Sequence, residues 1–164
     1  MAENSEPVWI VHWDGPFSPD HAKSEKETNS GYVLYMLYGY HNLYGFNSLL
    51  YLGQTSAGIK TRLGQHDDWI KDEYDEVSVR LGSISKFMGW DKWQTFKKGD
   101  RPFEYPKQFE MIERIEKLLI YANQPAYNTA NKNDAKSSNN LRVFNTGHFG
   151  SIFPEISSWY FLNT

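Results

Sequence analysis

Two apolar, tyrosine-rich runs, Tyr32–Tyr38 and Leu49–Leu52, are separated by Gly39, Asn42, Gly45, Asn47 and Ser48. Runs of this kind around Gly/Asn punctuation predict two strands of a hairpin with a long connection. Past Gly53-Gln54-Thr55-Ser56 the period changes: Ile59, Leu63 and Ile70 recur at helical spacing, and Thr55 or Ser56 supplies an N-cap. Val77, Val79 and Leu81 then alternate with Ser78, Arg80 and Gly82, which predicts a third, half-buried strand. A second core helix opens at Pro106 and runs to about Ala122, with a broad apolar arc of Phe109, Met111, Ile112, Ile115 and Leu118–Ile120.

The ends read more simply. Val8–Trp13 is a short β-prone run closed by Asp14-Gly15-Pro16, and Ser18-Pro19-Asp20 opens a brief helix to about Lys26. Residues 85–105 are irregular, with Phe87, Trp90, Trp93 and Phe96 among lysines. Such a stretch is either a stacking platform for nucleotides or a loop pinned by its tryptophans, and pinning is favoured for Trp90. Asn123–Asn128 turns the chain back, residues 129–140 read as a mobile polar loop, and Leu141–Phe161 reads as a closing hairpin with a docked tail.

Within this frame a few residues carry chemistry. Arg62 and His66 fall one helical turn apart at the edge of the first helix's apolar stripe, between Trp69 and Ile59. Glu116 lies inside the apolar arc of the second helix, whereas Glu110, Arg114 and Lys117 lie outside it and Glu113 sits at its margin. A carboxylate on an apolar face is costly unless a cation or an arginine compensates it, and a bound metal ion or Arg62 can do so. His12 and His21 lack partners at metal-ligand spacing and read as structural or surface residues, as does His148.

These residues carry a resemblance. Val33-Leu34-Tyr35, Tyr51-Leu52-Gly53, Arg62 and His66, then Glu116 with its Lys117–Ile120 context, and Pro125 with Asn128, resemble in order the motifs of the GIY-YIG nucleases. The likeness covers roughly Gly31 to Asn128. Val33 stands where the first motif usually has Gly. Tyr35 and Tyr51 lie 16 positions apart, a longer gap than usual, read here as an enlarged turn from Gly39 to Ser48.

The resemblance implies an α+β fold, a small three-stranded, mainly antiparallel sheet flanked by helices, carrying an N-terminal strand and helix and a C-terminal extension. The expected organisation is one domain over 1–164, with the nuclease-like core at 30–128, an N-terminal extension at 1–29, and a polar loop and tail at 129–164. The implied activity is metal-dependent cleavage of DNA, with RNA left open. Tyr35 and Tyr51 are then candidate general bases. Arg62 stabilises the phosphoryl group, His66 assists the proton relay, Glu116 is the ligand of Mg²⁺ or Mn²⁺, and Asn128 is an anchor or site residue. Gln54, Lys60 and Arg62 are the expected substrate contacts. A phenol whose pKa is lowered by nearby cations would serve as the base.

Composition bounds this reading. The chain of 164 residues has 40% hydrophobic and 16% aromatic residues, enough for one real core, and no cysteine, which excludes disulfides and thiol chemistry and suits a reducing, cytoplasmic setting. The N-terminus has no basic n-region or long apolar run of a secretory signal. Net charge is −3, an awkward sign for a nucleic-acid protein. Residues 67–76 hold Asp67, Asp68, Asp72, Glu73, Asp75 and Glu76, whereas residues 80–107 are rich in Arg and Lys and offer a footprint for phosphates or an ordinary solvated loop. The alternative is therefore a non-catalytic nucleic-acid-binding or interaction module on the same fold.

Overall fold

The computed structural model describes residues 8–28, 31–93 and 109–162. The lysines and arginine at 97, 98, 101 and 107, the start of the second core helix at Pro106, and the side chain of Trp93 lie outside the described residues. The described strands are β1 (Val8–Phe17), β2 (Leu34–His41), β3 (Gly45–Gln54), β4 (Ser78–Lys86), β5 (Arg142–Gly147) and β6 (Glu155–Ser157). The helices are α1 (Pro19–Thr28), α2 (Ile59–Gly64), α3 (Asp67–Asp72), α4 (Trp90–Trp93), α5 (Phe109–Asn123) and α6 (Ser158–Leu162), with a 3₁₀ turn at Lys136–Ser138.

All six strands belong to one sheet, in the order β3-β2-β4-β1-β5-β6. This corrects the expectation of a small three-stranded, mainly antiparallel sheet flanked by helices: the sheet is twice that width, mixed, and curled into a half-barrel with few helices. The expected strands β2, β3 and β4 do pair antiparallel, but they form only half of it. The N-terminal strand is not an appendage. β1 runs antiparallel to β4 on one side and parallel to β5 on the other, with His12 opposite Thr146, 134 positions away. Its sequence explains the central place, because Ile10, Val11 and Trp13 are buried from consecutive and alternate positions, as in a strand covered on both faces.

The two faces carry two cores. Leu34, Met36 and Tyr38 of β2 point into a cluster with Val11, Trp13, Leu52 and the buried face of α5 (Ile112, Ile115, Leu118–Ile120). Tyr35 and Leu37 point the other way, against Ala22 of α1, Ile59 and Leu63 of α2, and Val79 and Leu81 of β4. At roughly 1.5–3 kcal/mol for each large apolar side chain removed from water, these two clusters are the main favourable term of the fold.

Three local expectations change. The connection between β2 and β3 is three residues, 42–44, because both strands run on to His41 and from Gly45; the supposed enlarged turn is extra strand. The first core helix breaks in two. Gly58, with φ of 93°, is its N-cap in place of Thr55 or Ser56, and the Thr55 hydroxyl instead donates to the Gly58 carbonyl. Gly64 ends α2 and His66 caps α3, so Arg62 and His66 sit on either side of a bend instead of on one helix. Finally, residues 129–140 are not a free loop: Ala135 and Ser138 are buried, and the Ser138 hydroxyl donates to the Arg114 carbonyl at 2.6 Å. Among the described residues no helix is long and apolar enough to cross a membrane.

Candidate functional site

The site starts from a register. Tyr35 of β2 lies opposite Gly53 of β3, and its ring leans over that glycine. A Cβ there would fall 2.7 Å from the Tyr35 hydroxyl and 2.8 Å from the Tyr51 ring, so only glycine lets the two phenols approach. The rings of Tyr35 and Tyr51 stack with centroids 5.9 Å apart. The bend between α2 and α3 then brings up two cations or near-cations. Arg62 donates from Nε to the Tyr35 oxygen at 3.1 Å, and His66 Nε2 lies 2.8 Å from that same oxygen. Tyr51 adds a ring stacked on Tyr35 and lies within the field of Arg62. Two residues not assigned roles from sequence complete the cluster: Gln65 accepts from Arg62 Nη1 at 2.6 Å, and Trp69 Nε1 donates to His66 Nδ1 at 3.0 Å.

Electrostatics separates the two phenols. Tyr35 is fully buried, and burial, followed by the neighbouring Tyr51, pushes its pKa up; the pull of Arg62 is smaller. The expected lowering by nearby cations therefore does not hold for Tyr35. Tyr51 is half-buried and keeps a path to solvent. His66 is held below the usual histidine range by burial and then by Arg62, which favours the neutral ring.

Glu116 arrives from the opposite face of the sheet, on α5. It lies beside Gln54 at the end of β3 and within the field of Arg62. Burial pushes its pKa up to about 7, with the polar groups of Gln54 and the charge of Arg62 only partly offsetting this. Glu113, one turn earlier, is instead paired with Lys117 at 2.8 Å. Beside Glu116, the Gln54 amide oxygen is buried and has no hydrogen-bond partner. An under-compensated carboxylate next to an orphaned carbonyl oxygen fits a hard divalent cation that keeps most of its waters. Among the described residues no group of three or more His, Cys, Asp or Glu side chains is placed to hold a metal, so such an ion would rest on this sparse protein shell.

No protein-family model, curated protein or solved structure matches the chain.

The remaining expected site residues divide. Asn128 is buried away from solvent and clamps one residue of the edge strand: Oδ1 accepts from Leu52 N and Nδ2 donates to Leu52 O, both at 2.9 Å. With Ala126 N and Tyr127 N bonded to the Leu49 and Leu50 carbonyls, it seals the β3 edge and holds Gly53 and Gln54 in place. Lys60 is exposed on α2. Arg80, from the basic stretch, is committed elsewhere, donating to the His148 carbonyl and lying over the Tyr38 ring. Trp90 touches Phe87 and Phe144 but stays two-thirds exposed, so it is only partly pinned. The signals missed in the sequence were the Gly53 close approach and the indole of Trp69, three residues after His66.

Proposed function

We propose that this chain is a metal-dependent endonuclease of the GIY-YIG type, hydrolysing phosphodiester bonds of DNA in a cytoplasmic setting. One observation carries the reading. Arg62 and His66, from either side of a helix bend, both reach the oxygen of Tyr35, with Tyr51 stacked beside it and Glu116 in the field of the same arginine. A purely structural tyrosine needs one partner; this one has a guanidinium, an imidazole and a second phenol.

The geometry assigns roles. Arg62 neutralises charge growing on the non-bridging phosphoryl oxygens, its second nitrogen steered by Gln65. Tyr51, the less buried of the two phenols, acts as its phenolate to take the proton from the attacking water, and Tyr35, held by His66, stands behind it. Glu116, with the Gln54 carbonyl, would hold Mg²⁺ or Mn²⁺, which when bound supplies Lewis acidity and stabilises the leaving oxygen. Asn128 acts through the fold by fixing β3.

The test is incubation with supercoiled plasmid and Mg²⁺ or Mn²⁺ at low salt, where phosphate contacts are least screened. Wild-type protein nicks or linearises the plasmid, whereas Glu116→Ala and Arg62→Ala lose about 100-fold or more in rate. Absence of wild-type cleavage, or full cleavage by Glu116→Ala, overturns the proposal. The second reading is a non-catalytic nucleic-acid-binding or interaction module, which retention of labelled DNA without cleavage would select; the net charge of −3 weighs toward interaction with something other than DNA.

A further inference from the structure

We propose that Trp69 is a positioning residue: it fixes His66 as its Nε2–H tautomer and so sets the direction of the hydrogen bond between His66 and the Tyr35 oxygen, beside which Tyr51 stacks. The role in catalysis rests on the nuclease reading above; the tautomer and its cause do not.

The argument needs only donor and acceptor inventories. An indole N–H can donate and never accept. Trp69 Nε1 lies 3.0 Å from His66 Nδ1, so Nδ1 must be the bare nitrogen of a neutral ring, and the proton sits on Nε2. Nε2–H then donates to the Tyr35 oxygen at 2.8 Å. That oxygen already receives Arg62 Nε–H at 3.1 Å. With two N–H groups pointing in, the Tyr35 hydroxyl proton is turned away from both His66 and Arg62. One donor-only side chain at the start of the series thus orders every proton after it. Without Trp69 the ring can adopt the Nδ1–H form, Nε2 becomes an acceptor, and Tyr35 turns its proton back toward His66.

Trp69 is well placed for such a part. It sits edge-on to His66, with ring centroids 5.7 Å apart, and is itself braced edge-on by Tyr127 at 5.5 Å. Among the described residues, the groups facing His66 are Tyr35 of β2, Tyr51 of β3, Arg62 of α2 and Trp69 of α3, and none of these is a carboxylate that would draw a proton onto Nδ1.

The experiment is a two-bond ¹H–¹⁵N correlation spectrum of ¹⁵N-histidine-labelled protein, for wild type and Trp69→Phe, with circular dichroism to verify the fold. Wild-type His66 shows a protonated Nε2 and a bare Nδ1 at neutral pH. Trp69→Phe keeps the ring but removes the N–H, giving a tautomer mixture and a His66 titration midpoint moved upward, since a protonated Nδ1 no longer opposes an indole N–H. In the cleavage assay the same variant lowers kcat on the order of tenfold with KM unchanged. A wild-type His66 protonated on Nδ1 overturns the proposal even if the variant fails to fold. An unchanged tautomer in a folded Trp69→Phe overturns it as well. A tautomer change in a protein that cleaves nothing sinks the nuclease reading and leaves the indole's control of His66 standing.

Discussion

The two ends of the β2–β3 hairpin use the same side chains to opposite effect. At the base, the Tyr35 oxygen is buried and held by Arg62 and His66, and Asn128 grips the neighbouring Leu52 backbone. At the tip, Tyr44 and Phe46 are about two-thirds exposed and Leu43 more so. There, Tyr40 meets Phe46 at 5.0 Å and Tyr74 at 5.1 Å, and His41 stacks on Tyr44 at 4.7 Å. Rings at the tip touch rings, while the phenol oxygens at the base are the organising points. A tyrosine's contribution is therefore set by what reaches its oxygen, and tyrosine content alone says nothing of where a site lies. The two ends are also joined, since His66, Trp69, Tyr127, His41 and Tyr44 form an unbroken series of ring contacts.

The contrast breaks most readily at Asn128. Replacing it with Ala leaves a buried Leu52 N–H and C=O without partners, each costing about 1–3 kcal/mol, so Asn128→Ala should lose about 4 kcal/mol in urea unfolding. A loss below about 1 kcal/mol would show that water or a shifted backbone replaces the clamp, and that the base is less fixed than its hydrogen bonds indicate.

Glu116 gives the next effect, and it carries a sign. Its folded pKa of about 7 lies above the ordinary carboxylate value of 4.5, so between those pH values the folded protein holds a proton that the unfolded chain has released. Stability is therefore fully present below about pH 4.5 and declines as pH rises to about 7, by at most about 3 kcal/mol, at 1.36 kcal/mol per unit. Glu116→Gln should flatten that slope, which urea titrations at pH 5 and pH 8 would detect. Added Mn²⁺ should restore stability to wild type at pH 8 and not to the variant; equal restoration in both would separate the metal from Glu116.

These two positions also show what the sequence discloses. Glu116 was legible from residues alone, as the single carboxylate inside an apolar arc, and the structure puts it where that cost is felt. The strands were legible as strands, but their partners were not. Alternation locates a strand and its faces; it does not say that Val8–Phe17 will lie between β4 and a strand 134 positions away, which is how a three-stranded expectation became a six-stranded sheet. The helix bend was hidden because Ile59, Leu63 and Ile70 keep a helical period across it, although Gly64 weakens the helix at that point by about 1 kcal/mol relative to Ala. Tyr35 and Tyr51 stood out from Tyr32, Tyr38, Tyr40 and Tyr44 only through motif resemblance. What separates them physically, Gly53 against their rings and two N–H donors on one oxygen, comes from register.

The smallest effect belongs to the tip, and its smallness sharpens the comparison. Tyr44 and Phe46 keep most of their surface in water and meet the half-buried rings of His41 and Tyr40, so little burial is lost when they are replaced. Tyr44→Ser and Phe46→Ser should each change unfolding free energy by no more than about 0.5 kcal/mol, against several for Asn128→Ala. The hairpin register is held well below them, by pairs such as Tyr35–Gly53 and Met36–Leu52 over the α5 core, so the base should be untouched. The His66 ring signals report this directly, because the ring series ends on that residue. If Tyr44→Ser shifts them by more than the Trp69→Phe control, the tip is mechanically coupled to the base through Tyr127 and Trp69, and the division between the two ends fails.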